Sequence, residues 1–300
     1  MNQSEYSASI DISKILGCKN TKLLAVASVY RRKKLSLHSK KISLMNSDFH
    51  IAIAQNEIKW NDVHNNLIST ELLLKSVTSS DLILLPEMFS TGFVVGEQPL
   101  SDVSAEVLPW MKRMSKQYDS ALAGSVAVHD AAGWHNRLYF VTPDGAAQSY
   151  DKRHLFLGSS EAQHFQRGEE LPIFHFRGWK ICPQICYDLR FPIWCRNARN
   201  DGEFKYDLLL YVANWPGSRA MAWNTLLRAR AIENQCFVAA CNCVGIDTQN
   251  HHYQGDSQLV APDGNLIAKA ESQPQLLQGS CSHQQLAQLR ERFPVANDWD

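Results

Sequence analysis

The apolar run nearest the start of the chain, Leu23 to Tyr30, is too short to cross a bilayer, which takes roughly 20 apolar residues. Arg31-Arg32-Lys33-Lys34 follows it instead of a small-residue cleavage site, which argues against a secretory signal. The chain also lacks net charge: 30 basic residues balance 30 acidic ones, so it offers no electrostatic case for nucleic acid or an acidic membrane. There is no Pro/Gly/Ser-rich linker and no internal repeat, so one large domain is the economical reading. No phosphate loop or dinucleotide fingerprint is present, which removes the usual nucleotide cofactors. Cys-x-x-Cys is missing too. Cys182 and Cys186 lie four apart and Cys241 and Cys243 two apart, neither of them the spacing of a zinc knuckle or a redox dithiol.

The neutral total hides an asymmetry. Before Met45 there are nine basic residues against Glu5 and Asp11, so the remainder carries a compensating net charge of −7. Residues 1–44 are therefore expected to be a basic, disordered extension or upstream sequence, with Met45 as the natural beginning; a transit peptide is the weaker alternative. Residues 45–300 are expected to form the functional domain. The eight cysteines, in a chain this large without an export signal, read as reduced thiols in a cytoplasmic protein. Cys241, inside the apolar stretch Phe237 to Cys243, reads as a small core residue.

From Phe49 onward strands and helices alternate. Phe49–Gln55 reads as a strand, and Asn61 as the cap of a helix through Val63, Leu67, Leu74 and Val77. Asp81–Pro86 is a short buried strand. A helix is expected over Glu106–Tyr118, then strands over Ala121–Val128 and Arg137–Thr142, the latter ending at the turn Pro143-Asp144-Gly145. Ile173–Phe176 and Trp179–Ile185 form a hairpin about Arg177-Gly178. Asp207–Ala213 is a buried strand and Arg219–Asn234 a helix. Strands over Phe237–Cys243, Ser257–Val260 and Leu266–Ala270 follow, the last two joined by Pro262-Asp263-Gly264. His251-His252 reads as a loop. The alternation predicts an α/β domain with its sheets covered by helices.

Three apolar strands end on a reactive side chain, the place where α/β folds bind ligands. Glu87 follows Leu84-Leu85-Pro86, and a carboxylate held in an apolar surround resists ionisation and serves as a base. Taken alone, a Glu at a strand end more often faces solvent. Lys152 lies in Tyr150-Asp151-Lys152-Arg153-His154-Leu155-Phe156, where a lone lysine would read as a surface residue. Cys186 ends the run Ile181 to Ile185 and opens the polar stretch Tyr187-Asp188-Leu189-Arg190-Phe191-Pro192. That break resembles a nucleophile elbow, which exposes the attacking atom and aims backbone N–H groups at an oxyanion. A structural Cys is the competing reading. The three residue types suit one chemistry. The thiol, with an unperturbed pKa of about 8.5, needs a base such as Glu87, and Lys152 would stabilise thiolate and oxyanion. The acyl group then passes through a thioester that water hydrolyses.

Glu87 after Pro86, Lys152 in Asp-Lys-Arg-His-Leu-Phe and Cys186 in Cys-Tyr-Asp-Leu-Arg-Phe-Pro, in that order, resemble the nitrilase superfamily of carbon–nitrogen hydrolases. Asn136, Arg137, Asn214, Arg230 to Asn234 and Gly255-Asp256-Ser257 resemble further family segments, and the likeness runs from about Phe49 to Trp299. By resemblance, Glu161 is the second glutamate, orienting Lys152 and the attacking water. The family fold is a four-layer α-β-β-α sandwich, and its members commonly pair, which implies a homodimer. Asp-Lys-Arg-His-Leu-Phe and Ala-Asn-Trp-Pro resemble the omega-amidase branch, which implies a small amide substrate such as 2-oxoglutaramate or 2-oxosuccinamate, with water as co-substrate and no cofactor. Candidate substrate-binding residues are Tyr187, Asn214, Trp215 and Arg219, with Arg219 placed to meet a carboxylate at a helix start. Two departures bear on substrate choice: Ala162 where His is common, and Cys243 where Asn-Arg-Val-Gly is expected.

Other readings fit less well. A papain-like protease would need a His partner for Cys186, and none of the eleven histidines has supporting context. His154 and His164 read as structural. Another amidase or nitrilase of the superfamily, or a catalytically silent binding module, is the alternative, the latter disfavoured because all four catalytic positions are kept.

Overall fold

The computed structural model describes residues 48–96 and 103–299; the expectation for residues 1–44 lies outside them. The chain opens with β1 (Phe49–Gln55), whose residues are buried except His50. α1 (Val63–Leu74) follows. Its cap is Asp62, whose carboxylate accepts from the Asn65 N–H at 3.2 Å. Asn61, the expected cap, has φ +57°, and the helix stops before Val77, which packs on the same cluster from outside it. β2 (Leu82–Leu84), α2 (Ser104–Tyr118), β3 (Ala121–Asp130), β4 (Gly133–Val141) and β5 (Ala147–Asp151) complete the first half. β4 starts four residues earlier than expected, and β5 was not anticipated.

The second half contains β6 (Phe174–Phe176), β7 (Trp179–Ile185), β8 (Leu208–Ala213), α3 (Ala220–Asn234), β9 (Phe237–Asn242), β10 (Gln258–Val260), β11 (Leu266–Lys269), β12 (Gln275–Cys281) and α4 (His283–Arg292). Arg177 and Gly178, at φ +46° and +86°, make the tight β6–β7 turn that matches strand twist. β12 and α4 are additions to the expected elements. His252 opens a short strand, His252–Gln254, paired with Val244–Ile246, where a loop was expected.

Two six-stranded sheets result, ordered β12-β1-β2-β3-β4-β5 and β11-β10-β9-β8-β7-β6. Their facing sides bury Ile51, Ile53, Leu84 and Phe140 from one and Ile181, Leu208, Leu210 and Phe237 from the other. The outer face of the first sheet packs on α1 and α2 through Leu67, Leu74, Val107 and Met111. The outer face of the second packs on α3 through Trp223, Leu227 and Ala231. Each sheet thus hides both faces, which is why its central strands are continuous apolar runs. The result is the four-layer α-β-β-α sandwich that the resemblance implied.

Candidate active site

Cys186 directly follows β7 and has φ +46°, a backbone region that a residue with a Cβ rarely occupies. The single-turn helix Cys186–Arg190 begins there. The strain is held in place by Asp188, which is fully buried. Its Oδ2 accepts from the Ile185 N–H at 3.0 Å and the Tyr150 hydroxyl at 2.8 Å. Its Oδ1 accepts from the His154 N–H at 2.9 Å and lies 2.8 Å from His154 Nδ1. One carboxylate therefore ties the elbow of the second sheet to the segment that leaves β5 of the first. His154 is engaged here, stacked on Phe191, as its structural reading requires.

Lys152 follows β5, and its backbone N–H donates to the Asn136 carbonyl at 2.9 Å. The side chain is not on the surface; Lys152, Glu87 and Glu161 are all fully buried. Lys152 Nζ donates to Glu87 Oε1 at 2.8 Å and to both oxygens of Glu161 at 3.0 Å. Asn136 Nδ2 bridges the same carboxylates, at 2.7 Å to Glu87 and 3.1 Å to Glu161. The Asn214 N–H donates to Glu87 Oε2 and the Asn214 Nδ2 to the Glu87 carbonyl, both at 2.8 Å. The Phe156 N–H closes the Glu161 side at 2.6 Å. Two carboxyl groups thus share one ammonium in the buried cluster, and each of their oxygens has a donor.

The electrostatics follow from this packing. Burial opposes the charge on Lys152, but Glu161 and Glu87 outweigh it and raise its pKa. Burial pushes Glu161 up, with Lys152 pulling the other way. Burial and then the charge of Glu87 push the Cys186 thiol well up, against the pull of Lys152. The Cys186 site therefore favours the neutral thiol over the thiolate, and attack by this sulfur would call for a neighbouring base. The Cys186 sulfur lies 4.0 Å from the Asn214 carbonyl oxygen.

Cys186 is part-exposed at a cavity of about 450 Å³, the size of a small-molecule site. Glu87, Tyr187, Asn214, Trp215 and Arg219 also line it, whereas Lys152 and Glu161 do not and connect to it through Glu87 and Asn136. Asn214 differs from expectation in its duty, because its N–H and amide are spent on Glu87. Arg190 and His251 also line the cavity, and the sequence reading assigned them no place there. Arg190 lies 5.0 Å over the Trp215 ring and Arg219 5.0 Å over the Phe156 ring. Neither guanidinium pairs with a carboxylate among the described residues. The signal for Arg190 and for Asp188 was present, since both stand inside the Cys-Tyr-Asp-Leu-Arg segment.

Residues 50–291 match the family model described as carbon-nitrogen hydrolase. A protein of Yersinia enterocolitica named omega-amidase YafV is 44% identical over 85% of this chain and 98% of its own length. A 2-oxoglutaramate amidase of Bacillus subtilis is 32% identical over 83% of this chain and 96% of its own. The crystal structure of XC1258 from Xanthomonas campestris, described as a CN-hydrolase superfamily protein with an arsenic adduct in its active site, superposes with a TM-score of 0.81. The two share 41% identity, over 85% of this chain and 98% of that one.

Proposed function

Because this chain belongs to the carbon–nitrogen hydrolase family, we propose that Cys186, Glu87, Lys152 and Glu161 hydrolyse the omega-amide of a short dicarboxylic oxo acid. The family and its amidase relatives make the chain a hydrolase of carbon–nitrogen bonds other than peptide bonds. The observation that carries the finer reading is Lys152 Nζ held between Glu87 at 2.8 Å and Glu161 at 3.0 Å, fully buried, beside a strained thiol.

Glu87 takes the thiol proton as Cys186 Sγ attacks the amide carbon. The carbonyl electron pair moves to oxygen, where Lys152 and the N–H groups of the turn face the new charge. Such a donor contributes on the order of 3 kcal/mol to the barrier. The tetrahedral adduct expels nitrogen, Glu87 returns the proton, ammonia leaves, and an acyl thioester remains on Cys186. Glu87 then deprotonates a water oriented by Glu161. Its attack on the thioester carbon releases the acid and restores the thiol.

Arg190 and Arg219 favour a substrate with a carboxylate at its far end, as 2-oxoglutaramate and 2-oxosuccinamate have. An unpaired guanidinium stacked on an aromatic ring is already oriented for a carboxylate. The functional unit in this reading is residues 45–300 as a cytoplasmic homodimer, with residues 1–44 as a basic extension.

Ammonia release is to be measured with 2-oxoglutaramate, glutamine and a simple aliphatic nitrile, beside Cys186→Ala. Release from the oxo-amide that disappears in the variant is the expected result. Release from the nitrile alone would discard the substrate and keep the thioester chemistry. Full activity in Cys186→Ala would discard both.

A further inference from the structure

Cys243, where the family pattern leads one to expect arginine, is a buried thiol that the hydrolytic scheme does not use. It follows β9 and packs with Ile58 and Tyr253. Its Sγ lies 2.8 Å from Asn214 Oδ1, to which the thiol donates. Asn214 in turn donates its N–H to Glu87 Oε2 and its Nδ2 to the Glu87 carbonyl, each at 2.8 Å. The residue before Cys243 does the same for the residue after Asn214. Asn242 Oδ1 accepts from the Trp215 N–H at 2.7 Å, and Asn242 Nδ2 donates to the Trp215 carbonyl at 2.9 Å. Residues 242 and 243 therefore clip residues 215 and 214, one holding the cavity wall and the other holding the group that holds Glu87.

We propose that Cys243 is a positioning residue whose S–H fixes the Asn214 amide and thereby aims the Glu87 carboxylate at the Cys186 thiol. No other donor reaches Asn214 Oδ1 among the described residues. Without the thiol, a buried acceptor is left unpaired, and the amide is free to turn its Nδ2 away from the Glu87 carbonyl. An arginine would have brought a cation to this spot; cysteine supplies a donor with no charge, so Lys152 stays the cation on Glu87. The proposal rests on Glu87 being the base for Cys186, as in the function proposed above.

A packing role and a donor role predict opposite orders of variants. Cys243→Val keeps the size and loses the donor, whereas Cys243→Ser keeps a donor and adds polarity. The test is the rate of Cys186 alkylation by iodoacetamide as a function of pH, read at the Cys186 peptide by mass spectrometry, with kcat and KM beside it. Alkylation needs no substrate, so it survives a wrong choice of amide. Glu87→Gln is the reference; if it alkylates at the wild-type rate, the base assignment fails before Cys243 is judged. With Cys243→Val, alkylation and kcat are expected to drop about tenfold, with KM within about twofold of wild type. Cys243→Ser is expected to restore most of the rate. If Cys243→Val does not fold, Cys243→Ala is expected to reproduce its loss. Wild-type rates in the Val or Ala variant, or a Ser variant as slow as Val, would overturn the proposal.

Discussion

Asp188 has no place in the proposed proton transfers, yet four donors converge on it. Changing it to asparagine swaps two acceptor oxygens for one and sets an NH2 group against a hydroxyl or an N–H. The Ile185 N–H, next to Cys186, is then held less firmly. Small displacements of a reacting group are costly, so Asp188→Asn is expected to lower kcat about a hundredfold. Steady-state kinetics with the amide, alongside a melting curve to confirm folding, checks this; an unchanged kcat would show that the elbow holds without it. The places of the residues proposed to react were legible because each follows an apolar strand: Glu87 after Leu84-Leu85-Pro86, Cys186 after Ile181 to Ile185. Lys152 was legible by motif only. Its burial depends on two carboxylates brought from 65 residues before and nine residues after, which no local pattern around Tyr150-Asp151 displays. The duty of Asn214 was hidden for the same reason, since its partner Glu87 stands 127 residues away.

The segment that carries Lys152 is fixed by close backbone contact as well as by charge. The Gly168 N–H donates to the Lys152 carbonyl at 2.9 Å. A Cβ added at Gly168 would lie 2.1 Å from the Asp151 carbonyl oxygen. Backbone cannot give way as a flexible side chain does, so the end of β5 must shift. Gly168→Ala is expected to cost about 2 kcal/mol of stability and to lower kcat, as Lys152 moves from its carboxylates. Urea unfolding and kcat measured together test it, and an alanine variant with native stability would contradict the close approach. The elements that escaped the sequence reading share a cause. β5 is Ala-Gln-Ser-Tyr-Asp with Tyr150 alone fully buried. In α4 only Leu286 is buried. β12 gains its register from β1, with Phe49 opposite Cys281 and Gln55 opposite Gln275. Such elements are set by a distant partner and carry little local periodicity. The interior strands were legible as apolar runs, whereas the edge strands β6 and β11 were legible through the turns beside them, Arg177-Gly178 and Pro262-Asp263-Gly264.

Bringing the site together is a property of the two sheets and not of any spacing along the chain. Glu87 follows a strand of the first sheet, Cys186, Asn214 and Cys243 follow strands of the second, and the Glu87–Asn214 bonds cross between the sheets. Anything that loosens the sandwich should therefore reach the site. One seam of it contains Trp179 of β7, packed on Phe49 of β1 at 5.2 Å and on Phe237 of β9 at 5.8 Å. The His283 ring, at the start of α4, stacks on Trp179 at 3.9 Å, and its buried Nδ1 has no hydrogen-bond partner among the described residues. Burial lowers the pKa of His283 below the ordinary 6.5; Asp207 pulls it up, while Arg290 and Lys180 push it further down. The folded chain thus prefers the neutral ring. A depressed folded pKa means that this group's contribution is complete above the unfolded value near 6.5. It is lost as pH falls through that value toward the folded one, because the unfolded chain takes up the proton first. His283→Phe retains an aromatic ring on Trp179 without a titrating nitrogen. The melting temperature of the wild type is therefore expected to fall relative to His283→Phe on going from about pH 8 to about pH 5.5. The remaining titrating groups are common to both proteins, so the change in their difference isolates this ring. A difference that stays constant across that range would mean that His283 takes no part in the acid sensitivity of the fold.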